Sequence, residues 1–295
     1  MKKPLEGIRV VELATFVAAP TTGRFLADLG AEVIKIEQPQ GDGWRDTGYK
    51  VGYFSRKHNP VFDLYNSGKK HIAINLKSPE GMEAFHKLLA QADVFVTNTR
   101  QNSLKRLGLS YEDLKEKYPD RKIRIVDSLS AASGYGLLID AMADLRDEGK
   151  SLDEVADWAE ANRLNLQIWF FSSDLTFFVK GGRVSKAVAF AGGILNIKPV
   201  LSVTDGEINI LGKARGSKMG NNLLVQEISK AGGIDFTKPV LLGYSGISDA
   251  LLLKYIEDSR HIWEGNLPEI RYTTVGSVIG THAGPGAVVV AFFKN

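Results

Sequence analysis

The sequence predicts an α/β fold in which a domain with a parallel sheet is followed by an α+β domain with an antiparallel sheet. In the first part, short apolar runs alternate with amphipathic segments, as expected for parallel strands joined by crossover helices. In the last third, strand-like runs follow one another closely, and Asp205-Gly206 between two of them is a strong hairpin signal. We therefore predict a Rossmann-like domain over residues 1–166 and an α+β domain over residues 167–295.

The elements of the first domain follow from these patterns in chain order. Strands are predicted at residues 8–13, 32–36, 71–75, 94–96 and 123–126. Helices are predicted at residues 22–29, from 79, from 111, at 131–148 and at 152–166, and a long polar loop at 45–66. Ser78, Ser110 and Ser151 offer helix N-caps, the last two with an acidic residue three positions later.

In the second domain, the hairpin pairs residues 198–204 with 207–213. The longest apolar run, residues 287–293, reaches about a third of the roughly 20 residues of a membrane span, so we interpret it as a buried strand.

Composition narrows the function classes. The chain has 295 residues, 44% of them apolar, and no cysteine, which excludes disulfides and thiol nucleophiles and favours a cytoplasmic location. The net charge of +3 is spread too thinly for a nucleic-acid partner. The five histidines show no ligand spacing, so no metal site is expected.

Residues 4–120 carry a first set of motifs, namely Pro4-Leu5-Glu6-Gly7, Leu29-Gly30-Ala31-Glu32-Val33-Ile34-Lys35-Ile36-Glu37, Asn66-Ser67-Gly68-Lys69-Lys70, Leu76-Lys77-Ser78-Pro79 and Asn98-Thr99-Arg100. This text resembles the amino-terminal part of the family III CoA-transferases of the 2-hydroxyacyl-CoA type. The resemblance implies that the CoA nucleotide lies along Phe16, Val17, Ala18, Lys35, Leu76, Asn98, Arg100 and Arg106.

Two alternatives stay open for these basic residues: Lys35 could be solvated at the end of its strand, and Arg100 could pair with a surface carboxylate. The resemblance stops after residue 120, before the aspartate on which such enzymes form a mixed anhydride. Gly136 falls where that nucleophile would be, so no catalytic residue is expected.

Residues 122–295 carry a second set of motifs, in order: Val126-Asp127-Ser128, Lys180-Gly181-Gly182-Arg183-Val184-Ser185-Lys186, Leu195-Asn196-Ile197-Lys198-Pro199, Lys213-Ala214-Arg215-Gly216 and Gly280-Thr281-His282-Ala283-Gly284. They resemble the DegV fatty-acid-binding proteins, whose two-domain architecture the whole chain is then expected to share. In that family a long-chain fatty acid lies in an apolar tunnel, and a kinase partner phosphorylates its carboxylate.

By this resemblance Thr281 and His282 would face the carboxylate and Arg215 would stand near the head group. A carboxylate at the mouth of an apolar cavity must be hydrogen-bonded or paired, which hydroxyl and imidazole groups can do. The alternative is that His282 is an ordinary loop histidine whose hydrogen bonds are satisfied.

The two resemblances meet near residues 120–122, which predicts a chimera, either engineered or arising from joined reading frames. Residues 121–166 of the first domain would then be of DegV type. We predict a non-catalytic fatty-acid carrier, impaired because the DegV motifs of the amino-terminal domain are missing before residue 122. The alternatives are a CoA-transferase-like or CoA-binding module, with CoA as ligand, and a chain in which neither site works.

Overall fold

A computed structural model describes residues 2–47, 52, 59–172, 175–184 and 197–295 of the chain. The chain forms two compact units, unit 1 (Met1–Arg121) and unit 2 (Lys122–Asn295). The two units meet between Arg121 and Lys122, whereas the sequence patterns predict a domain boundary between residues 166 and 167.

Unit 1 is built on a parallel sheet of four strands, which confirms the predicted Rossmann-like pattern. The strands are β1 (Arg9–Leu13), β2 (Glu32–Glu37), β3 (Lys70–Ala73) and β4 (Val94–Thr97), in the order β3-β2-β1-β4. All three neighbouring pairs are parallel. The chain moves outward from β1 to β3 and then crosses to the other side for β4, so the order reverses beside β1, where sheets of this kind bind ligands.

The helices of unit 1 are α1 (Ala18–Asp28), α2 (Pro60–Asn66), α3 (Pro79–Leu89), α4 (Gln101–Arg106) and α5 (Tyr111–Lys117). Ser78 caps α3, accepting a hydrogen bond from the Gly81 backbone, and Ser110 caps α5 with Asp113 completing the box. The prediction of one long loop over residues 45–66 was wrong at its end, because Asn59 caps a helix that Pro60 begins. Residues 48–51 and 53–58 of that loop lie outside the described residues.

Unit 2 is built on a six-stranded sheet that is antiparallel apart from its last pair. Its strands are β5 (Leu166–Phe171), β6 (Ile197–Thr204), β7 (Glu207–Arg215), β8 (Leu241–Tyr244), β9 (Tyr272–Thr274) and β10 (Val288–Phe293), in the order β7-β6-β5-β10-β8-β9. Asp205 and Gly206 both have positive φ, +53° and +77°, as the turn of the predicted hairpin requires. The apolar run at the end of the chain is strand β10, buried at every position.

The helices of unit 2 cover both faces of this sheet. They are α6 (Ala132–Asp147), α7 (Leu152–Asn162), α8 (Thr176–Lys180), α9 (Gly216–Lys230), α10 (Ala250–Asp258), α11 (Arg260–Trp263) and α12 (Ser277–Ala283). Alternate residues of β5 enter opposite cores: Trp169 and Phe171 join one cluster, whereas Ile168 and Phe170 join another.

Residues 123–126 form no strand, which corrects the prediction that they pair with the sheet of the first domain. Arg124 instead forms ion pairs with Asp153 and Asp157, so this segment is tied to α7. Helix α6 packs Leu137 and Leu138 onto the sheet of unit 2. These elements therefore belong to unit 2.

Candidate functional site

An apolar pocket of about 270 Å³ lies on one face of the sheet of unit 2. Strands β5, β6, β7 and β10 supply its floor, with the side chains of Ile168, Phe170, Val203, Ile208 and Val289. Because alternate side chains of a strand share one face, these residues form a continuous apolar surface. Helix α8, helix α12 and the start of α6 complete the wall.

Two polar side chains, His282 and Arg183, line this pocket, and both contact Gly181. The His282 ring lies against Gly181, where a Cβ atom would stand 2.2 Å from His282 Nδ1. Arg183 Nη1 donates a hydrogen bond to the Gly181 carbonyl oxygen at 2.6 Å. Gly181 therefore brings an imidazole and a guanidinium together at one end of the pocket.

This polar end has unused hydrogen-bonding capacity. His282 Nδ1 is buried and has no hydrogen-bond partner in the described part of the chain. Arg183 is exposed, and within the described residues it forms no ion pair. A buried polar atom without a partner costs about 1–3 kcal/mol, and the exposed Arg183 guanidinium has further N–H groups that could form charge-assisted hydrogen bonds with an anionic oxygen.

The segment that carries His282 is held by two buried serines. Ser172 Oγ donates to the Ala283 carbonyl oxygen at 2.9 Å, and Ser245 Oγ donates to the carbonyl oxygen of Gly284. Ser245 Oγ also accepts from the Ala287 backbone at 2.9 Å. Gly284 ends α12 with φ +71°, a conformation that favours glycine. The end of α12 is thus fixed by the strands beside it.

The other residues predicted from the DegV resemblance do not line the pocket. Thr281 precedes His282 on α12 but is exposed. Arg215 is the last residue of β7 and pairs with Ile197, at the end of the hairpin away from its turn. Strand β5 ends and strand β10 begins at this same end of the sheet. Arg183 belongs to one of the DegV-like motifs, but the resemblance implied no role for it. Residues 185, 186, 195 and 196 of the predicted motifs lie outside the described residues.

Unit 1 has a second pocket of about 490 Å³ at the carboxyl edge of its parallel sheet. Leu13 ends β1 and residues 14–15 follow it, residues 38–42 follow β2, and residues 74–77 follow β3. Thr99, which follows β4, also lines the pocket, so the pocket reaches the point between β1 and β4 where the strand order reverses, the general ligand position of this architecture. Leu76, predicted to contact CoA, lines it together with the exposed Lys77.

Lys35 is not available to a ligand, which corrects its assignment as a CoA contact. Its side chain is fully buried, and Nζ lies 3.1 Å from Glu12 Oε1 and 3.0 Å from Asp42 Oδ2. Nζ also donates to the Ala14 carbonyl oxygen at 2.7 Å. The side chain thus joins the segments that follow β1 and β2 beneath the pocket.

Glu37 lines the same pocket but its charge is balanced. Burial alone would raise the pKa of the Glu37 carboxyl, yet hydrogen bonds from Arg45, His71 and the Asp42 backbone outweigh it and hold the pKa well below its usual range. Arg45 Nη2 lies 2.6 Å from Glu37 Oε1. Since Asp42 is likewise paired with Lys35, the two acids of the pocket wall present little net negative charge.

The remaining residues predicted for CoA lie around this edge without lining the pocket. Asn98 braces the loop after β1, accepting from the Thr15 backbone N–H and donating to its carbonyl oxygen, at 3.0 and 2.8 Å. Phe16 is exposed with φ +64°, edge-on to Trp44, and Val17 and Ala18 begin α1. Arg100 and Arg106 are exposed at the two ends of α4.

Within the described ranges, no group of three or more histidine, aspartate or glutamate residues could hold a metal ion. In the same ranges, none of the helices has both the length and the apolarity that crossing a membrane requires.

The fold is that of an α/β protein with two units, and unit 2 has an apolar pocket whose lining includes the polar side chains of His282 and Arg183. The model of the DegV family matches residues 84–295, and that of CoA-transferase family III matches residues 5–135. The chain belongs to the DegV family, and its sequence is a composite whose amino-terminal part is homologous to the CoA-transferases.

Individual relatives reflect both parts. The chain is 51% identical over 119 residues to (R)-2-hydroxy-4-methylpentanoate CoA-transferase of Clostridioides difficile, which covers 39% of this chain and 29% of that protein. It is 35% identical over 189 residues to a DegV domain-containing protein of Clostridium perfringens, covering 63% of this chain and 64% of that one. It thus spans less than two thirds of either relative's length.

Among solved structures, the Streptococcus pneumoniae fatty acid kinase B3 protein loaded with linoleic acid is similar at a TM-score of 0.59 and 19% identity. The match covers 98% of this chain and 100% of that one, which shows a shared fold.

Proposed function

We propose that unit 2 binds a fatty acid, with the carboxylate at His282 and Arg183 and the acyl chain along the apolar floor. The observation that carries this proposal is the pocket of about 270 Å³ whose apolar lining ends in these two polar side chains. An anionic oxygen would gain a charge-assisted hydrogen bond from Arg183 and a partner for the imidazole. The DegV relative loaded with linoleic acid supports the same ligand class.

The role proposed for the chain is that of a cytoplasmic carrier rather than an enzyme. A kinase that phosphorylates the acyl carboxylate is the partner that the resemblance implies. Support comes from the name of the pneumococcal relative and from the exposed Arg215, a cation at the end of the sheet where β10 begins. The long-chain class of ligand is the expectation carried over from the family.

The test is lipid mass spectrometry on the purified protein, followed by calorimetry with fatty acids. We expect a co-purified acid, and replacement of His282 or Arg183 by alanine should weaken binding roughly ten- to hundredfold, the range for a hydrogen bond to a charged group. His261→Ala is the matched control, because His261 is exposed on α11 and does not line the pocket. If no fatty acid binds, or if all three variants bind equally, the proposal fails.

A second candidate is CoA binding by unit 1, favoured by the pocket of about 490 Å³ at the carboxyl edge of the parallel sheet. Lys77 lines it as an exposed cation suited to a phosphate. Calorimetry with CoA should give heat that Lys77→Glu abolishes and that Lys87→Glu, an exposed lysine on α3, leaves unchanged. Absence of heat with the unmodified chain would exclude this candidate.

A further inference from the structure

Helices α8 and α12 of unit 2 hold each other by a reciprocal contact between aromatic rings and glycines. Gly181 is the C-cap of α8, and an added Cβ there would stand 2.2 Å from Nδ1 of His282, on α12. Gly284 is the C-cap of α12, and an added Cβ there would stand 2.4 Å from Cδ2 of Phe177, on α8. Each helix thus packs a ring on the glycine that ends the other. Because His282 lies two residues before Gly284, the position of Gly284 bears on both contacts.

Ser245, the residue after β8, binds Gly284 and the segment that follows it through four hydrogen bonds. Its backbone N–H donates to the Ala287 carbonyl oxygen at 3.1 Å, and its carbonyl oxygen accepts from the Gly286 N–H at 2.8 Å. Its hydroxyl accepts from the Ala287 N–H at 2.9 Å and donates to the Gly284 carbonyl oxygen. Of these four bonds, the bond to Gly284 is the one that reaches the residue at the end of α12.

The hydroxyl of Ser245 joins groups that lie inside the protein. Ser245 and Ala287 are each 1% exposed, and Gly284 is buried as well. Without the hydroxyl, the Gly284 carbonyl oxygen and the Ala287 N–H would both lose a hydrogen-bond partner in a buried place, which is costly. The end of α12 would then shift towards other partners, and the His282 ring would move with it.

We propose that Ser245 is a positioning residue for His282. Its hydroxyl fixes the end of α12 and thereby the direction in which the imidazole faces the polar end of the pocket. This rests on the proposed function and adds a residue to it, since Ser245 does not itself line the pocket. Hydrogen bonds weaken steeply when donor and acceptor are misaligned, so a displaced ring would bind a carboxylate less well.

The experiment is a double-mutant cycle measured by calorimetry on the full, delipidated chain, with linoleate below its aggregation limit as the probe. Ser245→Ala should weaken linoleate binding about tenfold in the unmodified chain, the loss expected for one misplaced hydrogen bond to a charged group. In the His282→Ala background the same change should weaken binding less than about twofold, because no ring is left to position. Equal losses in the two backgrounds, or no loss in either, would overturn the inference.

Ser259→Ala is the matched control for a purely structural effect. The Ser259 side chain is buried in unit 2, and its hydroxyl also makes two hydrogen bonds: it donates to the Tyr255 carbonyl oxygen at 2.6 Å and accepts from Trp263 Nε1 at 2.8 Å. None of these three residues lines the pocket. The control should therefore lose stability in urea, as Ser245→Ala does, but keep its linoleate affinity within about twofold. A tenfold loss of affinity in the control too would overturn the inference.

A measurement without ligand separates this inference from the proposed function. NMR of the protein with isotope-labelled histidine observes the His282 ring, whose signals are those missing from His282→Ala. They should shift in Ser245→Ala and stay in place in Ser259→Ala, and unchanged signals in both would overturn the inference. If Ser245→Ala does not fold, Ser245→Cys, which keeps a weak donor at this position, replaces it with smaller changes in the same direction. Absence of linoleate binding by the unmodified chain would overturn the proposed function instead, and the ring signals would still decide whether Ser245 positions His282.

Discussion

The pocket of unit 1 is supported by buried charges, whereas the pocket of unit 2 is supported by an apolar sheet face. Beneath the first, Glu12, Lys35, Asp42 and Lys69 are linked by ion pairs of 2.8 to 3.1 Å, with side chains at most 1% exposed. The second has polar side chains at one end of its lining. The buried ion pairs of unit 1 hold the loops around its pocket in one geometry, but the loss of any one charge leaves its partner unpaired. In unit 2 the apolar sheet face leaves ligand specificity to a few polar atoms.

The largest effect is expected from Lys35→Met in unit 1. Removing this cation leaves Asp42 buried without a paired cation and leaves Glu12 with Lys69 alone, which should cost about 3–5 kcal/mol of unfolding free energy. Urea unfolding measures the loss, and hydrogen exchange in β1 and β2 assigns it to unit 1. Lys87→Met is the control, because its ion pair with Glu83 is exposed and should contribute at most about 1 kcal/mol. Equal losses would show that the buried network is not what stabilises unit 1.

In unit 2 the corresponding change is Gly181→Ala, which adds a Cβ atom 2.2 Å from His282 Nδ1. The ring must move, so fatty-acid affinity should fall by about 2 kcal/mol, or roughly thirtyfold, while the unfolding free energy changes less. Gly136→Ala serves as control, since its added Cβ meets nothing within 4 Å in helix α6 and should be neutral or stabilising. Undiminished affinity in Gly181→Ala would mean that the ring position is not critical for binding.

A smaller effect is expected from Glu37→Gln, and it depends on pH. Because the folded pKa of Glu37 lies below its unfolded value, its stabilisation is present above the unfolded pKa of about 4.3 and is lost as pH falls through the folded pKa. The variant should be less stable by about 1.5 kcal/mol at pH 7, and the difference should narrow below about pH 4. Urea unfolding across this range checks it; a difference independent of pH would contradict the assignment.

The smallest effects should be equal in the two units. Ser110→Ala in unit 1 and Ser151→Ala in unit 2 each remove a capping box in which the serine Oγ accepts from a backbone N–H at 3.3 Å. Each should cost about 1 kcal/mol of unfolding free energy, measured in urea. A difference greater than about 1 kcal/mol between the two variants would show that tertiary context, not the local cap, sets these energies.

Features governed by neighbouring residues could be predicted from the sequence. The boxes at Ser110 and Ser151 and the turn at Asp205-Gly206 involve contacts within three residues, and all three are present as predicted. The parallel and antiparallel character of the two sheets also followed from the spacing of apolar runs. His282, which the DegV-like motif predicts to face a carboxylate, lines an apolar pocket, and its contact with a ligand stays a prediction.

Features governed by distant residues could not be predicted in this way. Residues 123–126 have the composition of a strand but form none, and Arg124 instead forms ion pairs with Asp153 and Asp157, about thirty residues later. The sequence around Lys35 would look the same if its side chain were solvated. Its side chain is buried because it forms ion pairs with Glu12 and Asp42, which the local sequence pattern does not reveal. Arg183 could have been predicted as a site residue, because it is the cation that directly follows the Gly181-Gly182 turn.

The shape of the binding face in unit 2 depends on atoms that glycine lacks. At Gly181 the missing methyl leaves room for the His282 ring, and at Gly134 it leaves room for Ile168, whose Cγ1 would stand 2.3 Å from an added Cβ. An alanine scan identifies important positions by shortening side chains. A scan that omits glycines would therefore not test Gly181 or Gly134. Mutagenesis that enlarges residues, beginning with these two, is the approach that would reveal how the cavity obtains its contour.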